Sequence, residues 1–499
     1  MLSTRHLSRA ALTLAATVCL TGLPAAAGTA GGTAGGTAGA AAEPPAWKRC
    51  ATTAKDWPVA DDPGTECAML TVPMDHANPQ GRTIKIAVSR LKAADPGRRR
   101  GVLVISPGGP GISNITAPAS YAANGLGTLA ADHDLIGFDP RGVGYSDKIN
   151  CEEGSAGEPP PGASAKARAK AAFDQMAASN KRCTAMDPAF ARQLTTTNIA
   201  RDVDAIRVAL GAPKISFYGV SYGTAVGLTY RSLFDDRVER MWVDSVMPPV
   251  LDLAAMDGVT DAVGEKSFEG FLTWLAGRDG EYHFGTTPAA VRTTIFALRD
   301  RLDRKPLVAG KKTSLDGDWV RAQLGADAGG WASSARDLAT VREGGIPQSA
   351  RPGPDAAQVF GFDDAPMGMN TTQYNAIFCN EGTGGRDFDR VWADAQDRRR
   401  RFPGTGGKIE FSSWCAGWPW PATPWQPVKG NSPLQLSGHV GESVTPYAWA
   451  VDAAKAVGGT LLTIQDGAHG SLARLPCAAK AIDFFRTGRT SGGTCPGLQ

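Results

Sequence analysis

The sequence predicts an α/β protein with a mostly parallel central sheet, helices on both faces, and a large, mainly helical insertion after the sixth strand. Three observations predict it. Short apolar runs alternate with helical patterns up to about residue 250, namely Gly101–Ser106 (GVLVIS), Asp134–Phe138 (DLIGF), Ile215–Gly219 (ISFYG) and Met241–Val246 (MWVDSV). Continuous apolar strands separated by helices belong to a parallel sheet covered on both faces. Ile199, Val203, Ile206 and Leu210 recur at helical spacing ahead of Gly211, which reads as an amphipathic helix stopped by a glycine and feeding the next strand. Finally, the strand rhythm lapses after Pro249 and returns only at Pro433–Ser437 and Thr460–Gln465. An independent middle domain would leave the end of the chain with two strands and too little core, so the stretch reads as an insertion between strands of one sheet. The expected organisation is a core in two parts, residues 43–250 and 428–499, with a cap at 251–427.

The 499 residues are 42% apolar and 20% charged, and beyond the leader no apolar run reaches the ~18 residues a membrane helix needs. That excludes a disordered chain, a coiled coil and a polytopic membrane protein. The net charge is +3, and losing Arg5 and Arg9 with the leader leaves +1, a balance that offers nucleic acid no basic surface. Residues 1–27 have the three parts of an export signal: the basic Arg5 and Arg9, the apolar stretch Ala10–Leu23, and the small-residue site Ala25-Ala26-Ala27. Residues 28–42 repeat Gly-Thr-Ala-Gly, the composition of a flexible linker. A secreted product with no stable membrane insertion is therefore expected. Eight cysteines follow the leader: Cys50, Cys67, Cys151, Cys183, Cys379, Cys415, Cys477 and Cys495. An even number in an exported chain argues for disulfides, and none forms the CxxC pair of a zinc or redox site. Pairing nearest neighbours closes loops of about 15 to 40 residues, each contributing about 3–4 kcal/mol on the chain-entropy account.

Between the ISFYG run and a helical stretch lies Gly219-Val220-Ser221-Tyr222-Gly223, a G-x-S-x-G in the strand–turn–helix setting that gives the motif its meaning. Its tight turn strains the serine, glycines two residues either side relieve the crowding, and a helix N-terminus favours developing negative charge. Ser221 is the expected nucleophile. A serine at its ordinary pKa needs a base, and hydrolases with this motif place the acid and then the His after the Ser. His283, His439 and His469 follow it, and His469 is the one in the loop after the last strand (LLTIQDGAHGS). The loop after the penultimate strand, Ser437–Pro446, holds a single carboxylate, Glu442, which would fix the His469 tautomer and stabilise its imidazolium. Asp466 is the alternative acid, although it suits the turning of its own loop. The oxyanion hole requires two backbone N–H groups, one from Tyr222 and one, Gly109, from Pro107-Gly108-Gly109-Pro110-Gly111 after GVLVIS. No metal and no cofactor is expected.

The segments PGGPG at 107–111, GFDPRGVGYSD at 137–147, ARDVDAIRVALGAPKISFYGVSYGT at 200–224 and SVTPYAWA at 443–450 together resemble the secreted bacterial tripeptidyl aminopeptidases of the proline iminopeptidase branch of the α/β-hydrolases. The resemblance runs from about Trp47 to Cys495 and is weakest in the insertion. It implies an α/β-hydrolase fold with a helical cap over a Ser-acid-His site, and release of short peptides, typically tripeptides, from substrates with free N-termini. Some relatives are described as esterases, so a carboxylesterase or amidase is the second reading. The resemblance places the nucleophile on Ser221, the base on His469 and the oxyanion donors on Gly109 and Tyr222. Three features depart from the family: Glu442 stands where Asp is usual, with one extra residue after Gly438; Pro107 replaces a common His; and Trp274-Leu275 through His283 lacks the usual cysteines.

Other features read as structural. Trp414, Trp418, Trp420 and Trp425 suit packing, and Arg398–Arg401 suits a solvated helix face. An aminopeptidase must hold a free ammonium, and Glu265, Glu269 and Glu381 are carboxylates of the cap suited to that contact.

Overall fold

The computed structural model describes residues 45–151, 163–309, 313–326, 328–350 and 368–498, so the expected export signal at 1–27 and the expected linker at 28–42 lie outside the described residues. Nine strands are labelled in chain order: β1 Glu66–Pro73, β2 Thr83–Leu91, β3 Val102–Ser106, β4 Asp134–Phe138, β5 Ile215–Val220, β6 Val238–Asp244, β7 Leu434–His439, β8 Thr460–Gln465 and β9 Thr494–Pro496. They form one sheet in the order β1-β2-β4-β3-β5-β6-β7-β8-β9, with the two-residue strand Lys48–Arg49 on the outside of β1. Among these nine only β2 breaks the parallel run, lying antiparallel to both β1 and β4, and Lys48–Arg49 also pairs antiparallel with β1. This is an α/β-hydrolase fold with its insertion after the sixth strand.

The sequence dictates these elements through burial. Every residue of β3 and β5 is buried, as expected of central parallel strands covered on both faces. β1 instead alternates, with Leu70 and Val72 buried and Met69 and Thr71 exposed, because its sheet edge packs on one face only. The helix Thr196–Ala209 is capped by the Thr195 side chain, which accepts from the Asn198 N–H, and it buries Ile199, Val203 and Ile206. Gly211, at φ +64°, turns the chain away after it.

The insertion lies between β6 and β7 and, among the described residues, is built mainly of helices, among them Leu253–Ala276, Pro288–Arg304, Trp331–Arg342, Thr371–Glu381 and Phe388–Arg401. Phe268, Phe271, Leu272 and Leu275 of the first pack with Val291, Ile295, Leu298 and Leu302 of the second in an apolar cluster separate from the two that flank the sheet. The disulfides are Cys50–Cys67, Cys151–Cys183, Cys379–Cys415 and Cys477–Cys495. Trp418 and Trp425 are buried, while Trp414 packs on Tyr374, Phe378 and Phe411. One reading needs correction: Arg398 is not on a solvated face. It is buried and pairs with Asp261 at 2.9 Å and Asp257 at 3.6 Å, because its position on the Phe388–Arg401 helix turns it toward the Leu253–Ala276 helix.

A second buried ion pair ties the early strands together. Arg141, in the segment after β4, grips Asp202 with two hydrogen bonds of 2.7 and 2.6 Å and also donates to the Met74 carbonyl at 2.6 Å. Both side chains are fully buried. Removing one partner strands the other charge out of water. Arg141→Met is expected to destabilise the protein by about 3–5 kcal/mol, read as a lowered urea midpoint.

Candidate active site

The carboxyl ends of the parallel strands share one edge, and the segments that leave β3, β5, β7 and β8 there hold Gly109, Ser221, Tyr222, Glu442 and His469. Ser221 links β5 to the helix Tyr222–Leu233 and has φ 57°, ψ −131°, a backbone state costing a residue with a Cβ about 1–3 kcal/mol. Its surroundings enforce that state. The Ser221 N–H donates to the Asp244 carbonyl at 3.1 Å, and its own carbonyl accepts from the Thr224 N–H at 2.9 Å and the Thr224 hydroxyl at 2.6 Å. A Cβ on Gly223 would meet the Ser106 carbonyl oxygen at 1.8 Å, and one on Gly219 would meet the Gly223 oxygen at 2.6 Å, so the motif's glycines allow the helix to start hard against β3. Across the turn, a Cβ on Gly108 would lie 2.8 Å from the Ser221 Cβ. The Pro107–Gly111 loop therefore lies against the serine, with Gly109 next in line. Tyr222 opens the helix, its hydroxyl 3.0 Å from Thr196 Oγ1.

Glu442 lies in the turn after β7 and is 1% exposed. Its Oε1 accepts from the Thr445 N–H at 3.1 Å, from the Thr445 hydroxyl at 2.5 Å and from His469 Nδ1, while Oε2 accepts from the Ser245 hydroxyl at 2.9 Å. The carboxylate is thus held at both oxygens, and His469 is oriented through Nδ1, while its Nε2 has no hydrogen-bond partner among the described residues. A Cβ on Gly470 would lie 2.8 Å from Val220 Cγ1, so the residues following His469 and preceding Ser221 are in contact. Asp466 makes no such approach. It accepts from His439 Nδ1 at 2.7 Å, the Ser471 hydroxyl at 2.8 Å and the Leu498 N–H at 2.9 Å.

Sequence reasoning missed Ser245 and Thr445. Ser245 was read as part of a strand continuing to Val246, but β6 ends at Asp244 and Ser245 turns at φ 53°. Its hydroxyl then donates to Glu442 and accepts from the Gly470 N–H at 2.9 Å. The usable signal was its position, one residue past a strand that neighbours the motif strand. The three cap carboxylates named from the sequence are engaged. Glu265 accepts from Gly404 and Thr405, Glu269 pairs with Arg292, and Glu381 is buried against Thr196 and Thr197. Burial pushes the Glu381 carboxyl up to about 7 against the hydrogen bonds that lower it. In the Pro107–Gly111 loop, Gly111 abuts Tyr374 and Met369, which with Trp414, Trp418, Met176 and Asn180 line a cavity of about 290 Å³.

Fold and site together define a serine hydrolase of the α/β-hydrolase class. The profile described as alpha/beta hydrolase fold matches residues 101–340, and that described as TAP-like protein matches residues 405–495. The chain is 32% identical to "Tripeptidyl aminopeptidase" of Streptomyces lividans over 89% of this chain and 84% of that protein. It is 28% identical to "Serine protease Hip1" of Mycobacterium tuberculosis over 91% and 90% of the two chains, and 28% identical to "Carboxylesterase B" of the same species over 85% and 84%. The chain belongs to the TAP-like family of α/β-hydrolases.

Gly223→Ala tests the packing under the serine. Its methyl has no space against the Ser106 backbone, so the substitution is expected to cost about 1–3 kcal/mol and to displace the start of the Tyr222–Leu233 helix, read by urea unfolding and by hydrogen exchange of that helix.

Proposed function

We propose that this protein is an exported serine aminopeptidase that releases short peptides, in particular tripeptides, from peptides with a free N-terminus through an acyl-enzyme. The observation that carries the chemistry is the His469–Glu442 contact beside the strained turn of Ser221. In the proposed mechanism Ser221 Oγ attacks the scissile carbonyl while His469 Nε2 accepts its proton. Glu442 holds the imidazole in the required tautomer and stabilises the imidazolium. The N–H groups of Gly109 and Tyr222 receive the oxyanion. His469 then returns the proton to the leaving amine, and water repeats the sequence to free the acyl peptide. The choice of peptide chemistry is supported by the Streptomyces relative named for it. The cavity beside Gly111 lies at the small end of ligand pockets, roughly 300–1,000 Å³, a size suited to side chains of the acyl segment. The boundaries 43–250, 251–427 and 428–499 are proposed as core, cap and core. Export is supported by the leader pattern and the four disulfides.

A relative named as a carboxylesterase keeps esterase chemistry as a second reading. A panel of a free-amine tripeptide anilide, its N-acetylated form and a short-chain aryl ester separates the two. Faster turnover of the free-amine peptide than of the blocked one supports the aminopeptidase, whereas ester turnover with no preference for the free amine overturns it. Ser221→Ala should abolish both turnover and fluorophosphonate labelling in a folded protein, and labelling retained at another serine would move the nucleophile. Glu442→Gln should lower kcat by about 10⁴-fold with little change in binding, whereas Asp466→Asn should cost far less. The reverse order would make Asp466 the acid.

A further inference from the structure

His439, the last residue of β7, is fully buried between two carboxylates. Its Nε2 lies 3.0 Å from Asp244 Oδ1 and its Nδ1 2.7 Å from Asp466 Oδ1. A neutral imidazole has one donor and one acceptor, and an acceptor nitrogen facing a carboxylate oxygen would be repelled, so both nitrogens donate and the ring is a cation. Burial alone would lower the His439 pKa, but the hydrogen bond and charge of Asp244, the hydrogen bond of Asp466 and the charge of Glu442 outweigh it and raise it to about 9. Ser437 donates to Asp244 at 2.6 Å and Ser471 to Asp466, while the phenols of Tyr218 and Tyr121, near Asp244, are held neutral by burial.

The two carboxylates belong to the two segments that must stay in register for the site. Asp244 closes β6, its carbonyl accepts the Ser221 N–H, and the next residue is Ser245, which holds both Glu442 and Gly470. Asp466 opens the loop on which His469 stands. We propose that His439 is a positioning residue of the hydrolytic site: its imidazolium clamps the end of β6 to the His469 loop, and loss of its proton releases that loop. With the ring neutral, Asp244 and Asp466 face it from either side with no positive charge between them, and Glu442 adds a third carboxylate.

The proposal rests on His469 being the base, and its test reads Ser221 directly, without assuming a peptide substrate. The measurement is the rate of fluorophosphonate labelling against pH. In the wild type the rate should fall near pH 9. Because the folded pKa of His439 is raised above its ordinary 6.5, the clamp is complete below about 6.5 and is lost as pH rises through about 9; thermal stability should decline over the same window. His439→Gln should lower the neutral-pH rate at least tenfold and abolish the alkaline fall. Asp466→Asn keeps the ring but removes one carboxylate charge, so the fall should move to lower pH. Kinetics on a turned-over substrate should show the His439→Gln loss in kcat rather than KM. An unchanged neutral rate in His439→Gln, or an alkaline fall that persists there, overturns the clamp while leaving the hydrolase reading intact. If His439→Gln does not fold, an Asp466→Asn profile identical to wild type overturns it instead. A wild type that does not label at all overturns the hydrolase reading and the clamp together.

Discussion

The structure depends on holding one residue, Ser221, in a backbone state that a side chain resists. A turn at φ 57° persists only where its neighbours over-determine it. Here those neighbours are the Asp244 carbonyl on one side, Thr224 on the other, and glycines at 108, 219 and 223 that let three backbones approach more closely than any Cβ allows. The same closeness fixes which loops meet. β3 must end against the first turn of the Tyr222–Leu233 helix, so the Pro107–Gly111 loop leaves it directly beside the serine.

The rest follows from parallel strands ending at one edge. β6, β7 and β8 are hydrogen-bonded neighbours, so residues far apart in sequence emerge within reach of one another, and short polar side chains join them. Ser245 receives the Gly470 N–H and supports Glu442, and Thr445 supports the same carboxylate from its own turn. One layer further in, Asp244, His439 and Asp466 form a row of charges fully withdrawn from water. Buried charge of this kind is costly unless each group is paired. Pairing it across two strand ends converts that cost into a constraint on geometry.

Several segments that tie the chain to its relatives hold structure rather than touch the proposed chemistry. In GFDPRGVGYSD, Asp139 accepts from the Ser113 hydroxyl at 2.6 Å and from the N–H groups of Asn114 and Tyr145, and burial raises its carboxyl to about 6. Arg141 of the same segment is locked to Asp202. These contacts set where the Pro107–Gly111 loop returns to the sheet, so a segment that carries part of the resemblance serves the scaffold.

The sequence by itself determined the fold class, the place of the insertion and the loops in which chemistry could occur. Continuous apolar runs, a G-x-S-x-G and the order Ser, carboxylate, His are one-dimensional patterns, and burial and strand direction translate them without further information. It left open whether Glu442 or Asp466 faces His469. Both lie in loops leaving the same edge, and spacing does not encode which way a side chain points. Nor did it reveal β1, where alternation is a weaker signal than a buried run, or β2, or Arg398, whose charge is cancelled by Asp257 and Asp261 from a helix over a hundred residues earlier. Only the tertiary structure decided that Glu442 contacts His469, that Asp466 belongs to His439, and that Ser245 joins two loops. The physical reason is the same in each case: a polar group's partner is chosen by which strand ends lie side by side, and that is a property of the sheet, not of the neighbouring sequence.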